Sequence, residues 1–212
     1  MPVSMEKKSY SPNLRDRMRP GDIIAFGGKS QFSQIIKWFT GSPVSHVAIL
    51  LKTKRPEAKK DGYYNQIIES TVKDDKSGVM VTKLSRAVKQ YKGEIWWVPL
   101  SKTVREKLDL DKYFDWLERQ EGKKYDIGQM IPCALDFLGP LTRTQEDYEK
   151  LFCSELVVGA LKAGGAIPKK VNASEVTPKD LMSWKIYDTT YFQLKGKRTE
   201  IRSLNTQPVK SF

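Results

Sequence analysis

Three side chains able to do acyl-transfer chemistry near neutral pH stand far apart in the chain: the thiol of Cys153, the single imidazole at His46 and the carboxylate of Glu69. A thiolate is a nucleophile, and an imidazole titrates near neutrality. A carboxylate on the second ring nitrogen fixes the tautomer and stabilises the charged ring. Cys153 lies in "LFCSELVVGALKAGG". The run reads as a helix from Leu151, with the cysteine in its opening turn and a glycine stop. In that turn the unpaired N–H groups and the dipole favour the thiolate and can hold an oxyanion. The competing reading is a cysteine packed as a small hydrophobe.

His46 sits mid-strand in "SHVAILL". Such a residue is more often a satisfied core or edge histidine than a base. It is nevertheless the one candidate base, so thiol chemistry stands only if it meets Cys153. Glu69, in "QIIEST", falls on the next strand, where adjacent pairing would bring it beside the imidazole. An exposed strand glutamate explains it equally well. Tyr125, in "KKYDIG", is either a phenol donor into a site or a core aromatic with a wet hydroxyl, and the residues alone favour the core. Cys133 stands among apolar neighbours in "MIPCALDFL" and reads as packing. One histidine and two cysteines twenty positions apart match no zinc spacing, so neither metal nor organic cofactor is expected.

These residues need elements to carry them. "DIIAF", "PVSHVAILL", "QIIEST", "GVMVTKL" and "EIWWVPL" read as five strands, with the charged "KTKRPEAKKDGYYN" as a hairpin tip. Phe32, Ile35, Ile36 and Phe39 fall at helical spacing between Ser30 and Gly41. Short connections argue for an antiparallel sheet or small curved barrel. Trp96 and Trp97 must face opposite sides, one in the core and the other walling a cleft or exposed. The second half reads as helices. "TVREKLDLDKYFDWLERQEG" has Thr103 and Glu106 at capping-box spacing, "YDIGQMIPCALDFLG" is interrupted at Pro132, and "QEDYEKLFCSELVVGALKAGG" carries the thiol. "TPKDLMSW" starts a helix with Thr177 as cap, Pro178 first and Asp180 in the opening turn. The division expected is a polar basic extension over 1–18, one catalytic domain over 19–190 and a basic tail over 191–212.

The chain has 212 residues, 39% of them hydrophobic, which suffices for one core. Two cysteines make no disulfide framework and fit a reducing compartment, with a single bridge left open. The net charge of +12 raises a nucleic-acid reading. The charge gathers in "MEKKSY", "KTKRPEAKK" and "KGKR" without interleaved aromatics, so solvated loops account for it. Anionic lipid and acidic glycan remain compatible partners on charge alone. No apolar leader opens the chain and no run approaches about 18 apolar residues, so a transmembrane segment is not expected.

The ordered set "PGDIIAF", "IIKWFTGSPVSHVAIL", "IIEST", "KKYD", "FCSELVVGAL" and "TPKDL" resembles the permuted branch of the NlpC/P60 superfamily, and within it the YiiX-like papain-fold enzymes, over Arg19 to Trp184. The resemblance implies an α+β papain-like fold in which the histidine strand precedes the cysteine helix. It implies Cys153 as nucleophile, His46 as general base and Glu69 as the orienting third residue, where many relatives use another polar side chain. It also makes Tyr125 an oxyanion or substrate contact. The activity implied is cysteine hydrolysis of a peptide or isopeptide bond, cell-wall peptides included, with a peptide or acyl-amide as substrate. The location expected is cytoplasmic, or release by lysis or from a phage. The lecithin–retinol acyltransferase group shares the order but reads Asn-Cys-Glu-His where this chain reads Phe-Cys-Ser-Glu. A third reading is a non-catalytic papain fold binding an acidic partner through its basic loops.

Overall fold

The computed structural model describes residues 3–28, 41–54, 63–73, 76–123 and 145–209. The helix expected between Ser30 and Gly41, the hairpin tip and the helix through Pro132 lie largely or wholly outside them, as do Tyr125 and Cys133. In chain order the elements are β1 (Ser4–Lys7), α1 (Pro12–Arg15), β2 (Ile23–Gly28), β3 (His46–Lys54), β4 (Tyr63–Lys73) and β5 (Lys76–Lys83). There follow α2 (Leu84–Gln90), β6 (Gly93–Val98), α3 (Lys102–Lys107), α4 (Leu110–Glu118), α5 (Gln145–Ala163), α6 (Pro178–Ser183) and β7 (Thr190–Lys195).

The strands form one open sheet in the order β1-β7-β6-β2-β3-β4-β5. The expectation of five antiparallel strands or a small barrel is therefore corrected: among the described residues there are seven, unclosed, and β1 runs parallel to β7. The two unforeseen strands come from the chain ends. β7 inserts between β1 and β6, and Phe192 stacks on Trp97 with ring centroids 4.8 Å apart. Beyond it Ile201 and Leu204 are buried, and Trp96 Nε1 donates to the Thr199 carbonyl at 2.9 Å. Met5, Leu14 and Met18 are buried at the other end. Residues of both segments thus pack into the cores on the two faces of the sheet.

Strands buried on both faces read as near-continuous apolar runs. Here alternation divides them between two layers. Ile23, Ala25, Val47, Ile49, Ile68, Trp96 and Val98 join a core with Val157 and Leu161 of α5, Tyr113 of α4 and Leu181 of α6. Ile24, Phe26, Ala48, Leu50, Ile67 and Trp97 join a second core with Leu14, Met18 and Leu84. Trp96 and Trp97 do point oppositely, but both are buried; neither walls a cleft. The reason is that α1, α2 and the N-terminal segment cover the face left open in the sequence-based reading.

Asp22, wholly buried, ties these parts together. Its carboxylate accepts from the Arg19 N–H at 2.9 Å, Trp97 Nε1 at 2.9 Å and the Leu100 N–H at 3.1 Å, and pairs with Arg105. The expected long helix after Ser101 is two helices, because caps interrupt it. The Ser101 side chain accepts from the Val104 N–H, and the Asp109 side chain accepts from the Lys112 N–H. Thr177, not Thr103, forms the true capping box, with Asp180, as "TPKDL" predicts. On α5, Gly159 gives Trp116 room: a Cβ there would lie 2.5 Å from the indole.

Candidate functional site

The helix α5 crosses β3 and β4, and Cys153 is the ninth of its 19 residues. The expectation of a cysteine in an opening turn is therefore corrected, since the helix begins at Gln145. At that depth a residue's N–H is spent on the intrahelical ladder. Neither free N–H groups nor the helix end favours the thiolate, and no oxyanion donor arises from that source. The sulfur is fully buried within the first core. What surrounds it has to come from the sheet.

β3 and β4 pair from Ile49↔Ile68 to Lys54↔Tyr63, where the ladder runs toward the hairpin tip. Past Ile49 and Ile68 the two strands no longer pair with each other but stay paired to β2 and β5, and His46 and Glu69 lie on those continuations. Strict alternation would place His46 with Ala48 and Leu50, on the face away from α5. Beyond the ladder the two strands are no longer joined to each other. There His46 Nε2 donates to Glu69 Oε2 at 2.8 Å, and the ring is also hydrogen-bonded to Cys153. The imidazole is thus a neighbour of both the carboxylate and the thiol. Among the described residues no group of three or more His, Cys, Asp or Glu side chains could hold a metal ion.

Burial alone would lower the proton affinity of His46. The Cys153 charge and hydrogen bond, followed by those of Glu69, outweigh it and raise the pKa from 6.5 to about 10. The imidazole therefore stays protonated through neutral pH. The two polar partners each keep 14% of their side-chain surface exposed, so solvent reaches the site from their side.

Sequence reasoning missed a further neighbour. Tyr91, directly after α2, stands edge-on to Phe26 at 4.9 Å, and Phe26 lies 5.4 Å from the His46 ring. Ser45 is the polar side chain beside its hydroxyl. Burial raises its pKa first, and the charges of Glu69, Glu94 and Cys153 raise it further, so the phenol stays neutral. "KQYKGE" carries no signal for this; it reads as a polar connection.

No family model matches the chain, and no curated protein does. Among solved structures it is similar to the metalloprotein YiiX from Escherichia coli O157:H7, at 21% identity and a TM-score of 0.43. The likeness covers 70% of this chain and 67% of that one. A similarity of that depth carries no argument about chemistry. No helix among the described residues is long and apolar enough to cross a membrane.

Proposed function

We propose that the protein is a cysteine hydrolase acting on an amide bond, peptide or isopeptide, through Cys153, His46 and Glu69. The observation that supports this reading is the single imidazole hydrogen-bonded to Glu69 and interacting with Cys153. With the proton already on His46, the Cys153 sulfur forms a C–S bond to the carbonyl carbon. The tetrahedral adduct collapses, and the departing amine takes the proton from the imidazolium. Neutral His46 then accepts a proton from water, whose oxygen attacks the thioester and releases the acid and the thiol. Glu69 holds the ring in one tautomer throughout. The chemistry draws on no metal or cofactor. A basic surface at a net charge of +12 favours acidic acyl substrates such as peptides with free carboxylates.

A second reading is favoured by the complete burial of Cys153. In it the trio is a buried ionic link inside a binding protein. One experiment separates the two: a screen of D,L-peptides, lysine amides and acyl lipids with intact protein, Cys153→Ala and His46→Ala. Hydrolysis lost in both variants, with unchanged circular dichroism, supports the hydrolase. Hydrolysis that survives either substitution overturns it. Transfer of the acyl group to an added amine or lysolipid in place of water would mark an acyltransferase.

A further inference from the structure

His46 lies beyond the end of the β3–β4 ladder, so its backbone is held on the β2 side alone, where it pairs with Phe26. That side is tightly tied. The Ser45 N–H donates to the Phe26 carbonyl at 2.9 Å, and the Gly28 N–H donates to Ser45 Oγ at 3.1 Å. Ser45 is the residue immediately before the imidazole, and it is buried. Tyr91 reaches both halves of this junction: its hydroxyl lies beside Ser45, and its ring stands edge-on to Phe26, which also meets the His46 ring.

We propose that Tyr91 is a positioning residue for His46, holding the ring between Cys153 and Glu69 through Ser45 and Phe26; the proposal rests on the hydrolase reading above. A residue paired on one side only has freedom that one paired on both sides lacks, and a displacement of about 1 Å at such a centre can cost about a hundredfold in rate. Tyr91 limits that freedom with a hydroxyl beside Ser45 and an aromatic wedge against Phe26. The ionisable groups facing it are Glu69 from β4, Glu94 from β6 and Cys153 from α5. All three disfavour its ionisation, so the anchor keeps its proton while His46 titrates.

The test uses the full chain with Tyr91→Phe, which removes the anchor, and Tyr91→Ala, which removes anchor and wedge. Two readouts are followed: the NMR titration of the one histidine, and the rate of iodoacetamide capture at Cys153 resolved by peptide mass. The expected result is a His46 midpoint lowered by about 1 unit in Tyr91→Phe, a tenfold weaker hold on the proton. Capture at Cys153 should slow severalfold, more in Tyr91→Ala, at an unchanged fold by circular dichroism. Should Tyr91→Ala fail to fold, Tyr91→Phe decides alone. Wild-type midpoint and capture rate in Tyr91→Phe, together with either the same result or a collapsed fold in Tyr91→Ala, overturn the inference. A wild-type midpoint near 6.5 would instead sink the hydrolase reading, whatever the variants do.

Discussion

His46 and Glu69 are joined Nε2 to Oε2 at 2.8 Å across the point where β3 and β4 cease to pair. The carboxylate faces one ring nitrogen and Cys153 interacts with the ring as well, so the imidazole has two polar partners. That arrangement, together with the buried polar contacts around it, leads to five measurable outcomes.

Glu69→Gln keeps a hydrogen-bonding oxygen but removes the charge that helps hold the imidazole's proton. The His46 midpoint should fall by about 1 unit or more, and hydrolysis should fall about tenfold. NMR titration and initial rates check both. An unaltered midpoint would show that the carboxylate has no electrostatic part.

His46 keeps its proton up to about pH 10 in the folded chain. If the imidazolium supplies the proton to the leaving amine, hydrolysis persists into alkaline solution and declines as pH passes about 10. An ordinary histidine would place that decline near 6.5. The pH profile of kcat/KM reads this directly.

Cys153 sits beside a protonated ring and should be alkylated at pH 6.5 about tenfold faster than Cys133. Peptide mapping after brief iodoacetamide treatment gives the two rates. Equal rates, or no capture at Cys153 in folded protein, would favour the buried ionic link. His46→Ala should abolish the difference.

Asp22→Ala strands Arg105 and leaves three N–H donors without their acceptor inside the core. The loss expected is about 3–5 kcal/mol, and Tm should fall on the order of 10 °C. Asp22→Asn preserves part of the set and should cost less. Thermal unfolding followed by circular dichroism measures both.

Thr177→Ala removes the capping box at the start of α6, whose Leu181 and Met182 pack in the first core. A cost of about 1 kcal/mol follows, or about 2–4 °C in Tm for a chain of this size. Thr103→Ala, at the spacing that only resembles a cap, should change Tm by less than Thr177→Ala.

Local signals carried far where the physics is local. Apolar runs bounded by turn residues located β2 to β6, because a strand buried on both faces needs such a run. Thr177, Pro178 and Asp180 located α6, because a helix start is satisfied by the side chains beside it. The residue types at 46, 69 and 153 fixed which chemistry the chain could attempt. The run "QEDYEKLFCSELVVGALKAGG" held the whole of α5, but Cys153 was misplaced in an opening turn because "QEDYEK" is polar and shows no apolar period ahead of Leu151.

Pairing between distant segments was beyond such signals. "SMEK" has little strand character and becomes β1 by lying beside β7, 186 positions away at Ser4 and Thr190. The same holds at the centre of the fold. Sequence supplied a thiol, an imidazole and a carboxylate, but their meeting depends on a ladder ending at Ile49↔Ile68 and on α5 crossing that opening. Tyr91 enters for the same reason. Side-chain chemistry is a property of each residue, whereas proximity is set by the packing of the whole chain, and only the tertiary structure contains it.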